Sequence, residues 1–151
     1  MMKIQENLLL KPYTTFKVGG RAKYFCVVKT IDEIKQALDF AREKNIDYFI
    51  LAGGSNVIVA DERFDGLVIK TELTNIAINN YSITVEVGFI LDKLVDLANA
   101  KSIKGLEWAG GLPGTVGGAV RGNAGAFGGE IRNCVLEVRS MKQEAGEYKE
   151  V

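Results

Sequence analysis

Apolar and polar positions recur along this chain with periods that mark out its elements. Tyr24 to Lys29 (Tyr-Phe-Cys-Val-Val-Lys) is aromatic and β-branched, the composition of a strand. Thr30-Ile-Asp-Glu33 then reads as a capping box. Ile31, Ile34, Ala37, Leu38 and Ala41 follow at helical spacing, which predicts an amphipathic helix over 31–44. Asp47 to Leu51 returns as a strand and runs into Ala52-Gly-Gly-Ser-Asn56, a tight turn. Val57 to Val59 continues extended, and Gly66 to Thr71 is a further strand. Ile76–Asn79 and Ser82–Val87 flank Asn79-Asn80. In the second of these, Ile83, Val85 and Val87 alternate with Thr84 and Glu86, so one face is buried and one is wet. Leu91, Leu94, Val95 and Ala98 predict a second amphipathic helix, about 90–101. Val135 to Met141 is strand-like, Glu144-Ala-Gly-Glu147 reads as a hairpin turn, and Tyr148 to Val151 as the return arm. Residues 1–23 look irregular, apart from Tyr13 to Gly20, read as a strand leading to a turn. Some seven strands with only two crossover helices point to α+β rather than a simple doubly wound parallel sheet.

Composition narrows the function classes. Hydrophobic residues are 47% and charged residues 25%, as in a globular domain. A chain of 151 residues buries roughly 70% of its unfolded surface. Lys+Arg and Asp+Glu are 19 each, so no net field attracts a nucleic acid or an anionic membrane. No apolar run is long enough to span a bilayer, and Leu8-Leu9-Leu10 is too short for a signal-peptide core. The expected location is cytoplasmic. Cys26 and Cys134, the only cysteines, form no zinc pattern or disulfide framework and are expected to be free, buried thiols. The chain has no histidine, which removes histidine-based triads and histidine metal ligands. No metal site and no catalytic residue is assigned.

The densest signal is Gly110 to Gly129. Nine of the 17 glycines fall there, and Arg121 is its only charged residue. Fixing glycine costs more backbone entropy than fixing any other residue. Such a run is either disordered or approached closely by something. Well-patterned segments on both sides argue for close approach, to another backbone or to a ligand. With the Gly53-Gly54-Ser55-Asn56 turn after a strand, it suggests main-chain N–H groups and neutral side chains, Ser55, Asn56 and Thr115, holding a diphosphate with little positive charge. Taken alone, Gly53–Asn56 also fits an ordinary turn. Neither a Walker-type triphosphate loop nor a Rossmann fingerprint is present.

Four ordered motifs carry a family resemblance. They are Tyr13-Thr-Thr-Phe-Lys-Val-Gly-Gly, Leu51-Ala-Gly-Gly-Ser-Asn-Val, Gly105-Leu-Glu-Trp-Ala-Gly-Gly-Leu-Pro-Gly-Thr-Val-Gly-Gly-Ala and Asn123-Ala-Gly-Ala-Phe-Gly-Gly-Glu-Ile. In this order, from about Pro12 onward, the chain resembles the UDP-N-acetylenolpyruvylglucosamine reductases, also called UDP-N-acetylmuramate dehydrogenases. The resemblance implies an FAD-binding domain of the PCMH, or vanillyl-alcohol-oxidase, type. Two small α+β subdomains, about 1–72 and 73–151, would hold FAD between them, the second interrupted within its hairpin. Gly53, Gly54, Ser55, Asn56 and Val57 would embrace the pyrophosphate. Pro113, Gly114, Thr115, Val116, Gly117, Gly118 and Ala119 would run past the pyrophosphate and ribityl chain. Asn123, Gly125 and Ala126 would lie near the flavin ring.

In that family NADPH gives a hydride to FAD, which passes it to the enolpyruvyl ether of a UDP-sugar, and a serine protonates the adjacent carbon. The family's catalytic arginine, serine and glutamate and its substrate-binding domain follow the hairpin. None matches a position before Val151, so Arg121, Ser140 and Glu130 take no such role. The expectation is a cofactor-binding part that is inactive alone and self-associates through an exposed edge. UDP-sugar and NADPH become partners only with the remaining part. A stand-alone FAD module and a different flavin oxidoreductase are the alternatives. Arg121-Gly122, in place of the apolar residues usual before Asn-Ala-Gly, departs from the family pattern. Glu107 is expected to be structural, and Trp108 a core residue.

Overall fold

The computed structural model describes residues 2–144 and 147–151. Its first half is built on a four-stranded mixed sheet, in the order β1 (Gln5–Leu9), β2 (Arg21–Val28), β4 (Phe64–Thr71), β3 (Tyr48–Leu51). β1 runs antiparallel to β2, while β2, β4 and β3 are mutually parallel. The connection from β2 to β3 passes through α1 (Ile31–Glu43), and β4 inserts between them.

Why these residues form these elements follows from their patterns. Thr30 caps α1, its hydroxyl accepting from the Glu33 amide at 3.2 Å. The Glu33 carboxylate reaches back to the Lys29 amide at 2.8 Å, one residue beyond the usual capping-box partner. Ala37 and Ala41, one turn apart, lay the helix against Cys26, Val28, Leu67 and Ile69. Alternation along β2 and β4 sends Phe25 and Val68 to the opposite face, where Leu10, Ala22 and Leu51 complete a second apolar cluster. Burying Leu67 or Ile69 stabilises the fold by about 1.5–3 kcal/mol each.

The second half is less sheet-rich. A short hairpin, β5 (Ile76–Ile78) and β6 (Ile83–Val85), leads to α2 (Leu91–Ala100). The Asn79 side chain accepts from Tyr81 and Ser82 and makes the hairpin turn. A third cluster gathers Leu91 and Val95 with Ala109, Ala119 and Ile131, and Trp108 and Leu112 pack against it. α3 (Val116–Gly122) and the two-residue strands β7 (Gly125–Ala126) and β8 (Gly129–Glu130) follow. A last antiparallel pair, β9 (Met141–Glu144) and β10 (Glu147–Glu150), rests on α1, with the Tyr148 hydroxyl donating to Asp39 at 2.9 Å.

The mixed content is the α+β class expected. Several local expectations differ. Tyr13 to Gly20 is not a strand: Lys11–Tyr13 is a 3-10 turn, and the buried Thr14 hydroxyl donates to the Val18 carbonyl at 2.9 Å. The N-terminal strand is Gln5–Leu9 instead. Val135 to Ser140 has no regular structure, and Leu136 stands 90% exposed. Val57 to Val59 lies outside the sheet and packs under it. The hairpin arms are paired with each other, while the tip at 145–146 lies outside the described residues. The outer strand β3 is the exposed apolar edge, with Tyr48, Phe49 and Ile50 all half exposed or nearly so. Cys26 is buried as expected, whereas Cys134 is only partly so.

Candidate cofactor site

The Gly53–Asn56 turn leaves the carboxyl end of β3, where parallel strands present ligand sites. Two segments clamp it. On one side Tyr13 and Thr14 pack so closely that a Cβ on Gly54 would collide with the Tyr13 carbonyl. Gly54 also has φ +71°, which disfavours any L side chain. Its carbonyl accepts from the Thr15 amide at 2.9 Å. On the other side a Cβ on Gly53 would lie 2.7 Å from the Gly114 Cα. The Ser55 hydroxyl donates to the Pro113 carbonyl at 3.2 Å.

The glycine-rich stretch is largely a scaffold for this turn. Thr115 is buried and caps α3. The Val116 amide donates to Phe89 and the Gly117 amide to Val87, at 2.9 and 2.8 Å. A Cβ on Gly117 would meet Val87, and one on Gly118 would sit 3.3 Å from the Ala52 Cβ. Val116 and Gly117 therefore have no amide to offer a ligand. Ala119 packs in the third cluster. Asn123 ends α3 in the left-handed conformation, φ +44°. Its side chain donates to Glu130 at 2.7 Å and accepts from the Arg132 amide at 3.1 Å, bracing the Gly125–Ala126 hairpin. Asn123 thus spends one amide proton and one lone pair within the protein and keeps a second N–H open, on an exposed residue. Gly129 lies against the Trp108 ring, and the Trp108 indole donates to Gly105. The Glu107 carboxylate accepts from Gly105, and bonding to backbone amides holds its pKa below the usual carboxylate value. Arg121 is exposed and has no partner among the described residues.

What remains for a ligand is specific. The amides of Gly53, Gly54, Ser55 and Asn56 donate to nothing among the described residues. Of these residues only Gly54 is buried, and a buried main-chain donor is nearly always paired, so its amide calls for an acceptor, while Gly53, Ser55 and Asn56 are open enough for a ligand to reach theirs. Positive charge is also closer than the sequence suggested. Lys70, on β4 beside Leu51, donates its Nζ to the Ala52 carbonyl at 2.9 Å, immediately before the turn. Burial pushes its pKa below the ordinary lysine value. The one available sequence signal was a lysine ending the buried Leu67-Val68-Ile69 run.

Comparison with known proteins gives this arrangement its setting. The model of a family described as an FAD-binding domain matches residues 22–151. The chain belongs to this FAD-binding family. Within it, the UDP-N-acetylenolpyruvoylglucosamine reductase of Lactobacillus acidophilus is 41% identical over 148 residues, 97% of this chain and 49% of that relative. The same-named protein of Alkaliphilus oremlandii is 40% identical over 128 residues, covering 83% of this chain and 42% of the relative. The crystal structure of the Thermus caldophilus reductase superposes with a TM-score of 0.79 at 32% identity, over all of this chain and 53% of that one. Aclacinomycin oxidoreductase shares the fold, with a TM-score of 0.73 at 19% identity. The chain spans about half the length of the curated relatives it matches.

The residues present fit FAD on the structure's own terms. Open amides suit diphosphate oxygens, close contacts exclude a side chain at Gly53 and Gly54, and an ammonium stands beside the turn.

Proposed function

We propose that this chain is the FAD-binding part of an NADPH-dependent reductase. That reductase converts UDP-N-acetylenolpyruvylglucosamine to UDP-N-acetylmuramate in peptidoglycan precursor synthesis, in the cytoplasm. The observation that carries the reading is the Gly53–Asn56 turn, with its open amides, pressed against Gly114 in a chain so similar to these reductases. FAD, when bound, supplies a two-electron carrier between NADPH and the substrate alkene.

The chain's own residues have separate tasks in this reading. Gly53, Gly54, Ser55 and Asn56 offer amides to the diphosphate, and Val57 packs the turn onto the sheet. Pro113 and Gly114 form the facing wall, and Thr115, Gly117, Gly118 and Ala119 hold that wall in place. Asn123 positions Gly125 and Ala126 beside the site through its bonds to Glu130 and Arg132. The segments about 1–72 and 73–151 act as two lobes with the cofactor between them. Each apolar cluster draws on one side of that boundary, apart from Leu73, which joins the first-lobe cluster around Leu67 and Ile69.

Purified chain should take up FAD and show oxidised-flavin absorbance. A polypeptide that stays colourless after FAD is added and free ligand removed refutes the reading. Among the described residues no helix is long and apolar enough to cross a membrane. NADPH oxidation dependent on the enolpyruvyl UDP-sugar should be absent from the 151-residue polypeptide alone. Robust turnover by it would overturn the assignment of catalysis to the other half of these proteins. Without FAD the exposed β3 edge favours self-association, and a monodisperse apo monomer at high concentration would count against that.

A further inference from the structure

A cavity of about 210 Å³ opens beside the Gly53 turn and is lined by Tyr13, Thr15, Lys17, Gly53 and Lys70 among others. No carboxylate lines it, and it holds two lysines. Lys70 is half-buried on the sheet face away from α1, and its ammonium has one hydrogen-bond acceptor, the Ala52 carbonyl. No ion pair forms to it among the described residues, and Glu72 acts on it only at a distance. An ammonium carries three donors, so two are without a protein acceptor among the described residues, on a side chain that lines the cavity. A desolvated cation without a counter-ion is costly unless an anion completes it.

We infer that Lys70 is the counter-charge of the cofactor's diphosphate, its ammonium closing on the oxygens that the Gly53–Asn56 amides hold, with Lys17 lending long-range attraction from the cavity rim. This rests on the proposed FAD-binding function and replaces a neutral cradle with a charged one. The ammonium also ties the turn to β4 through Ala52, so binding and turn geometry are coupled. Charge-assisted bonds to phosphate oxygen are about twice as strong as neutral ones, so loss of Lys70 should be felt chiefly through phosphate.

The test compares wild type with Lys70→Met and Lys70→Arg by FAD titration at two salt concentrations, and by thermal stability with and without inorganic pyrophosphate. Lys70→Met should weaken FAD binding about 10- to 100-fold and flatten its salt dependence. Lys70→Arg should restore most of the affinity. Pyrophosphate should stabilise wild type and not Lys70→Met. A Lys70→Met protein that melts normally and binds FAD like wild type, with the same salt slope, overturns the inference. Unchanged pyrophosphate stabilisation in Lys70→Met does so too. A wild type that takes up no flavin defeats the proposed function, and the pyrophosphate comparison then still decides the anion site: stabilisation abolished by Lys70→Met supports it, and no stabilisation of wild type overturns it.

Discussion

Gly53→Ala tests the contact on which the site depends. The added Cβ would stand 2.7 Å from the Gly114 Cα, 3.1 Å from the Gly114 carbonyl carbon and 3.2 Å from the Thr115 nitrogen. The nearest of these is about 0.7 Å short of ordinary van der Waals contact. All three are main-chain atoms, so no flexible side-chain end can swing away. The two segments must separate, and overpacking of this kind costs about 1–3 kcal/mol. In a chain of this length each kcal/mol lowers the melting temperature by about 2–4 °C. We expect a loss of about 2–12 °C in the apo protein, and FAD affinity weakened tenfold or more because the amides and Gly114 no longer keep register. Gly122→Ala is the internal control. Nothing lies within 4 Å of its Cβ position, and it ends α3 at ordinary φ. That substitution should stabilise by about 0.4–1 kcal/mol through the unfolded state. Calorimetry and flavin fluorescence titration read both effects. Equal behaviour of the two variants would refute the claim that glycine at position 53 answers a backbone contact.

Further tests address other parts of the chain. Burial pushes the Cys26 thiol up to about 11 from its ordinary 9.0. A raised folded-state pKa gives stability that is present below pH 9 and lost as pH rises toward 11. The stability gap between wild type and Cys26→Ala should therefore shrink across that window in urea titrations, and a constant gap would contradict the burial argument. Tyr148→Phe removes the hydroxyl that ties β10 to α1 through Asp39, and should cost about 0.5–1.5 kcal/mol while speeding proteolysis near the last hairpin. Ile50→Lys on the exposed edge of β3 should suppress association of the apo chain in light scattering, with little change in melting temperature.

What the sequence disclosed depends on whether a segment's fate is written locally. α1 carries both its cap and its apolar stripe, and it forms within a residue of the expected boundaries. The parallel core strands β2, β3 and β4 carry β-branched and aromatic runs, and all three form. β1 was not legible. Gln-Glu-Asn-Leu-Leu has no β-branched residue, and Asn7 takes φ +53°, so pairing with β2 makes it a strand. Val135 to Met141 shows the opposite failure. Its alternation describes a half-buried strand, yet Leu136 and Val138 find no partner strand among the described residues. α3 was hidden because three glycines lower helix propensity by about 1 kcal/mol each. Its local cue is Thr115, whose hydroxyl accepts from the Gly118 amide.

The same helix changes what the glycine run means. Read from sequence, nine glycines imply close approach to another backbone or to a ligand, with a ligand favoured once the Gly53 turn is set beside them. In the structure Gly53 meets Gly114, Gly117 meets Val87, Gly118 meets Ala52 and Gly129 meets Trp108. Each of these is protein against protein. The amides at 116 and 117 are consumed in the same packing, whereas those at 53–56 are not. Smallness and donor capacity are therefore partly separated: Val116 and Gly117 spend their amides in packing, while free donors lie at 53–56 and, facing them, at Gly114 and Thr115. The long run has the smallness, which lets it press against the short turn. The short turn keeps four consecutive free donors, with Lys70 behind it as the charge. On that division, alanine at Gly117 should act mainly on folding, by displacing Val87, and carry its effect on cofactor affinity only through stability. Alanine at Gly54 should damage affinity beyond any loss of stability, because it distorts the donor turn itself. If flavin affinity, compared at matched folded fraction, fell equally in the two variants, the separation of scaffold from donors would be wrong.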